Sequence, residues 1–158
     1  MRILFIGNTR LGDAILSTGI IKYYSEIEPE AKFTVICSPL TKPIFASFPK
    51  VINILAYKKE KRGRHWIKAW FDLEKGPWDL TIDLRNSIFS RFIKSKSTIR
   101  FKNNNTLEHR VISLARIIGK KNNPPNPYLY LNKTNKNEAR SALRKINSNN
   151  LLIALAPS

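Results

Sequence analysis

Residues 1–18, MRILFIGNTRLGDAILST, decide the fold. Ile3 to Ile6 is a continuous apolar run that stops at Gly7-Asn8-Thr9-Arg10-Leu11-Gly12, and from Asp13 the apolar positions Leu16, Ile20 and Tyr23/Tyr24 recur at helical spacing. The stretch therefore reads as buried strand, tight loop, then helix. A strand that feeds directly into a helix opens a parallel α/β sheet, because parallel neighbours need a crossover between them. Ligands in such sheets lie at the carboxyl ends of the strands, where helix N-termini offer free N–H groups and a positive dipole end. The loop from Gly7 to Asp13 is the first place to look for function.

Outward from this unit, strands and helices alternate. The pattern predicts strands at Lys32–Ser38, Val51–Ala56, Trp78–Leu84 and Ser97–Phe101. The first helix ends near Glu28-Pro29 and a second covers Thr41–Phe48. A third presents Trp66, Ile67, Trp70, Phe71 and Leu73 on one apolar face and closes at Gly76-Pro77. Ile88–Ile93 begins a fourth, and Leu107–Gly119 forms a fifth. Lys120–Pro127 looks like a linker, followed by Tyr128–Leu131, a polar helix from about Lys136 to Ile146, and a last apolar strand at Leu151–Leu155. The fold class is α/β, a doubly wound parallel sheet. The sequence stops just after a buried-looking strand, so the expectation is the front part of something longer, with residues 1–150 as one lobe and 151–158 opening the connection to another.

A length of 158 residues suits about one domain, and 42% hydrophobic with 25% charged residues is an ordinary globular balance. The net charge of +17 is not ordinary, and it rises along the chain, from +2 over residues 1–50 to +7 over 51–100 and +8 over 101–158. Such a field attracts phosphate, nucleic acid or anionic membrane surfaces. A general bias toward Lys and Asn, visible at Asn103-Asn104-Asn105, Asn122-Asn123 and Asn149-Asn150, is the competing explanation. The single cysteine, Cys37, rules out an internal disulfide and suits a reducing cytoplasm. No window approaches the ~20 apolar residues that span a bilayer, and the N-terminus enters a strand without a signal-peptide pattern, so the expected location is cytoplasmic.

Gly7 and Gly12 have the spacing of a phosphate-binding loop, which needs Lys and then Ser or Thr at the next two positions. Those positions are Asp13 and Ala14, and a carboxylate there repels a polyphosphate, which excludes nucleoside triphosphate chemistry. Asp13 is either a helix N-terminal carboxylate accepting backbone N–H bonds or a general base at the mouth of a cleft. The basic run from Lys58 to Arg64 is open to three readings: a solvated loop, a site for phosphorylated or carboxylated sugars, or a contact with anionic membrane. Trp66 and Trp70, at i and i+4, read as core residues covering the sheet. His65 and His109 lack a partner pattern and Cys37 falls inside a strand, so neither a Cys–His nucleophile nor a metal site is indicated. Arg10, Arg85, Asn86 and Ser87 fall on carboxyl-end loops as candidates for substrate binding.

Three stretches carry a family resemblance: RILFIGNTRLGDAILSTGIIKYYSEIEPEAKFTVICSP, WDLTIDLRNSIFSRFIKSK and IRFKNNNTLEHRVISLARIIG. In order and spacing they resemble the N-terminal half of the family 9 glycosyltransferases, the bacterial ADP-heptose:lipopolysaccharide heptosyltransferases. The sharpest match is the R-x-G-D turn, here Arg10-Leu11-Gly12-Asp13. The resemblance implies the Rossmann-like, acceptor-binding N-terminal lobe of a GT-B fold. It also implies that Asp13 is the catalytic base of an inverting transfer of heptose or a related sugar to the lipopolysaccharide inner core. Arg10, Gly12, Lys58, Lys61, Arg62, Arg64, Arg85, Asn86 and Ser87 become the acceptor-binding candidates. No metal or cofactor is implied, and the donor, ADP-heptose or another nucleotide-sugar, belongs to a second lobe that LLIALAPS would begin. The expected partners are a lipopolysaccharide precursor or other anionic glycolipid and the inner face of the bacterial inner membrane, with the chain peripheral to it and inactive by itself. The rival reading is a basic, Rossmann-like nucleic-acid- or anion-binding module without catalysis. Against it, the aromatic residues group on apolar faces and, Tyr57 and Trp66 apart, do not interleave with the cations.

Overall fold

The computed structural model describes residues 1–102 and 107–144. β1 (Arg2–Ile6) leads into α1 (Leu11–Ile27), as the opening residues require. There follow β2 (Lys32–Cys37), α2 (Lys42–Ala46), β3 (Val51–Ala56), α3 (Arg64–Asp72), β4 (Trp78–Asp83), β5 (Ser95–Arg100), α4 (Arg110–Ile117) and α5 (Lys133–Arg144). The five strands form one sheet in the order β3-β2-β1-β4-β5, and every neighbouring pair is parallel.

β1 lies in the middle of the sheet, and Ile3, Leu4, Phe5 and Ile6 are all fully buried, which is why its sequence is continuously apolar instead of alternating. The two-residue period of the strand sorts these side chains onto two cores. Ile3 and Phe5 join Ala14, Ile20 and Ile21 of α1, Phe45 of α2 and Leu114 of α4 on one face. Leu4 and Ile6 join Ala69 and Leu73 of α3, with Trp78 and Phe89, on the other. The sheet is doubly wound, as the sequence predicts.

Three expectations change. The apolar face predicted for α3 covers the sheet only in part: Leu73 is buried and Trp66 packs against the core beside buried His65 and Ala69, while Ile67, Trp70 and Phe71 are exposed. Ala69 is fully buried and faces the sheet, which places Ile67, Trp70 and Phe71 toward solvent. The helix expected from Ile88 is a single 3₁₀ turn at Phe89–Arg91, because the hydroxyls of Ser87 and Ser90 bond to nearby backbone and compete with a helical ladder. Residues 120–127 are not a free linker: the chain crosses α1, and the Tyr128 N–H donates to Thr18 Oγ1 at 2.9 Å. The end of the polar helix near Ile146, the strand at Leu151–Leu155 and the proposed boundary at 150/151 lie outside the described residues.

Gly19 makes that crossing possible, since a Cβ there would stand 2.5 Å from the Pro125 carbonyl oxygen, whereas a Cβ at Gly12 would meet nothing within 4 Å. Helix propensity alone favours alanine over glycine by up to about 1 kcal/mol at either position. Gly19→Ala is expected to lose about 1–3 kcal/mol through the clash, and Gly12→Ala to be neutral or stabilising. Urea unfolding of the two variants checks the difference in sign.

Candidate active site

The strand order places a crevice at the carboxyl ends of β1 and β4. From β1 the chain moves outward through β2 to β3, then returns to β4 on the other side, so the connections leaving β1 and β4 pack on opposite faces. Loops diverge at such a switch point and leave room for a ligand. The loop after β1 carries Asn8, Arg10, Gly12 and Asp13, and the loop after β4 carries Arg85, Asn86 and Ser87. The Leu84 N–H donates to the Ile6 carbonyl at 3.0 Å, which stitches the two loops together at their base.

Asp13 lies in the first turn of α1, and its partner comes from a distant element. Arg110, the first residue of α4, holds Nε 3.4 Å from Asp13 Oδ1, with both side chains roughly a quarter to a third exposed. The contact is an ion pair without hydrogen-bond alignment, since the same Nε has no hydrogen-bond acceptor among the described residues. The Arg110 guanidinium also lies over the Phe101 ring at 4.2 Å, which fixes its position. His109 caps α4, its Nδ1 accepting from the Val111 N–H at 3.4 Å. Asn8 is buried with its side-chain nitrogen unpartnered among the described residues, a free donor at the base of the same loop.

The loop after β4 is built around Asp83, whose carboxyl group is fully buried. It accepts from the Arg85 N–H at 2.8 Å, the Ser87 N–H at 2.7 Å and the Ser87 hydroxyl at 2.7 Å. This clamp holds Asn86 in the left-handed region with φ of 46°, leaving its side chain exposed. Ser87 is buried and spends its hydroxyl on Asp83, so it shapes the loop. Arg85 is half-buried with its guanidinium 4.6 Å over the Trp66 ring, which ties this loop to α3. Burial pulls the Arg85 pKa below its ordinary value, against the opposing effect of Asp83.

Lys58, Lys61, Arg62 and Arg64 are exposed on the turn between β3 and α3, with Arg62 and Gly63 both at positive φ. They belong to the α3 side of the sheet. Behind them His65 is buried, its Nδ1 accepting from the Glu60 N–H at 3.2 Å and its ring 4.8 Å from that of Trp66. Cys37 is buried too, and burial pushes its thiol up to about 11, which keeps it protonated and unreactive.

No protein-family model and no curated protein matches the sequence. Solved structures do match. A glycosyl transferase family 9 protein from Veillonella parvula superposes with a TM-score of 0.68 at 15% identity, over 95% of this chain and 51% of that one. The E. coli heptosyltransferase WaaC with ADP gives 0.58 at 16% identity, over 80% of this chain and 49% of that one. The E. coli ADP-heptose lps heptosyltransferase II gives 0.58 at 15% identity, over 90% and 50%. The chain has a family 9 heptosyltransferase-like fold. It spans about half the length of each of these structures, and its five-stranded parallel sheet corresponds to a Rossmann-like lobe of the GT-B architecture.

Asp83, Arg110 and Asn8 lie at the candidate site, and the sequence reading assigned none of them a role. A carboxylate closing a strand just before a polar loop was a usable signal for Asp83. For Arg110 no local signal exists, because its partner lies on another helix.

Two measurements check this geometry. Asp83→Asn places an amide against three donors and is expected to cost about 2 kcal/mol or more in urea unfolding. Burial lowers the His65 pKa, nearby Arg85 adds to the shift, and Glu60 opposes it. The fold thus favours the neutral ring, and the unfolded chain takes up the proton at higher pH. The corresponding stability is complete above about pH 6.5 and is lost as pH falls through the lower folded value. His65→Gln is expected to flatten that part of the stability profile.

Proposed function

We propose that the chain is the acceptor-binding lobe of an inverting glycosyltransferase, with Asp13 as the general base. The observation that carries this is Asp13 itself. It is a carboxylate about one-third exposed in the first turn of α1, held against Arg110 at the switch point of a sheet whose fold resembles that of heptosyltransferases. A carboxylate so placed can accept the proton of a sugar hydroxyl. As the proton passes to Asp13 Oδ, the hydroxyl oxygen forms a bond to the anomeric carbon of the donor sugar. The bond from that carbon to the nucleoside diphosphate breaks on the opposite face, and the diphosphate leaves with the electron pair.

The donor in this reading is ADP-heptose or another nucleotide-sugar, held by a second lobe. The acceptor is the inner core of a lipopolysaccharide precursor or a similar anionic glycolipid, which suits the +17 charge and the exposed cations Arg10, Lys58, Lys61, Arg62 and Arg64. Arg110 positions the Asp13 carboxylate, while Arg85 and Asn86, projected by the Asp83 clamp, bind the acceptor. Transfer needs both lobes, and the chain works at the cytoplasmic face of the inner membrane. Among the described residues no helix is long and apolar enough to cross a membrane, so on this reading the attachment is peripheral.

With the donor-binding lobe present, Asp13→Asn is expected to lower kcat by about 10²–10⁴-fold while acceptor affinity stays within a few-fold of the parent. Arg110→Gln is expected to lower kcat less than Asp13→Asn does, by loosening the position of the carboxylate. An Asp13→Asn enzyme with undiminished kcat contradicts the assignment.

A further inference from the structure

The face of α3 turned away from the sheet carries a feature that the Asp13 crevice does not explain. An open cavity of about 770 Å³ lies between α3 and the 3₁₀ turn at Phe89–Arg91. Its floor is aromatic: Trp66 stacks on Phe89 with ring centroids 4.9 Å apart, and Trp70 meets Phe89 edge-on at 6.1 Å. Its rim is apolar and exposed, with Phe71 at 79%, Ile88 at 71%, Phe92 at 68% and Ile67 at 61%. None of the residues lining it belongs to the Asp13–Arg110 pair.

The charge around this rim is predominantly positive. Arg62 lines the cavity, Lys58 and Lys61 precede it on the same exposed turn, and Arg91 and Lys94 follow on the other side. These cations are in no ion pair among the described residues. Of the acidic residues from 57 to 94, Asp72 alone is both exposed and outside any ion pair among the described residues. Glu60 binds Lys68, Asp72 accepts from the Tyr57 hydroxyl, Glu74 pairs with Arg2, Asp79 pairs with Lys96, and Asp83 is buried in its clamp. What remains is a wedge of aromatic and branched side chains edged by unneutralised lysine and arginine. A second copy of the chain is a poor match, because each copy brings +17 and the same basic rim. An anionic interface with an apolar interior complements both parts at once.

We infer that this face docks on the surface of an anionic lipid bilayer, with Ile67, Phe71, Ile88 and Phe92 entering the boundary between headgroups and acyl chains and the basic rim lying against lipid phosphates. The inference rests on the proposed function only in placing a glycolipid acceptor in the same membrane. The docking face itself stands on the side chains described. Arg85, whose guanidinium covers Trp66, links the docking face to the loop after β4, so a lobe seated this way brings that loop close to the headgroups.

The test is flotation of the full protein with vesicles of phosphatidylcholine, with and without phosphatidylglycerol. Binding is expected only to the anionic vesicles. It should fall at least about tenfold in Phe71→Ser/Phe92→Ser, since each phenyl group gives up its transfer from water. Brominated acyl chains should quench tryptophan emission, and Trp70→Phe should remove much of that quenching. Because both phenylalanines are exposed, the double variant should keep the parent circular dichroism and unfolding midpoint. The inference is overturned if the folded double variant binds anionic vesicles as the parent does, if brominated lipid leaves the tryptophans unquenched, or if the parent is a dimer that the double substitution dissociates. Asp13→Asn separates the two proposals. Full vesicle binding with undiminished turnover in that variant removes the base assignment and leaves the docking face. Lost turnover in Asp13→Asn, combined with unchanged vesicle binding in the double variant, does the reverse.

Discussion

The structure depends on burying β1 from both sides. Four consecutive apolar residues, Ile3 to Ile6, have no polar face to give to solvent, so helices must cover both faces of the sheet. Parallel pairing with β2 on one side and β4 on the other sends the connections to opposite faces. The loops leaving β1 and β4 then diverge, and the crevice between them follows from the burial of one strand. Asp13 stands at that crevice because α1 begins where the strand's apolar run ends.

Two devices turn the crevice into a defined surface. Asp83 consumes three donors from the loop that follows it and fixes Arg85 and Asn86 relative to the sheet, and Arg110 reaches from α4 to hold Asp13. Asp83 is fully buried, where water is no alternative partner, and Arg110 is seated over the Phe101 ring, so both are more constrained than the exposed cations between β3 and α3. The crossing of the 120–128 segment over Gly19 and Thr18 braces the other flank of α1.

Much of this was legible in the sequence. The continuous apolar runs of β1 and β2 and the helical spacing after Asp13 fixed the class of the sheet, and the Asp-for-Lys replacement after Gly12 excluded a triphosphate site. The orientation of α3 was not legible. Trp66, Ile67, Trp70 and Phe71 outweigh Ala69 in any hydrophobic pattern, yet the small residue faces the sheet, Trp66 packs beside it, and Ile67, Trp70 and Phe71 turn outward. Helical periodicity shows that a face is apolar without showing which surface it meets. The 3₁₀ turn in place of a helix after Ile88 had its cause in two serines that compete for backbone bonds. The Asp13–Arg110 pair was invisible because tertiary packing alone brings α1 and α4 together.

The two proposals rest on two separate surfaces, a polar crevice at the switch point and an apolar, basic-rimmed shelf on α3, joined by the Arg85–Trp66 stack. The central claim is that an anionic sugar chain is received at the crevice beside Asp13. Titration of the ¹⁵N-labelled protein with a lipid-free, phosphorylated inner-core oligosaccharide tests it most directly. The account predicts amide shifts concentrated at Gly7–Asp13, Arg85–Asn86 and Arg110. Shifts confined to the opposite end of the sheet, around Ala31, Lys50 and Gly76, with the carboxyl-end loops unmoved, would contradict it.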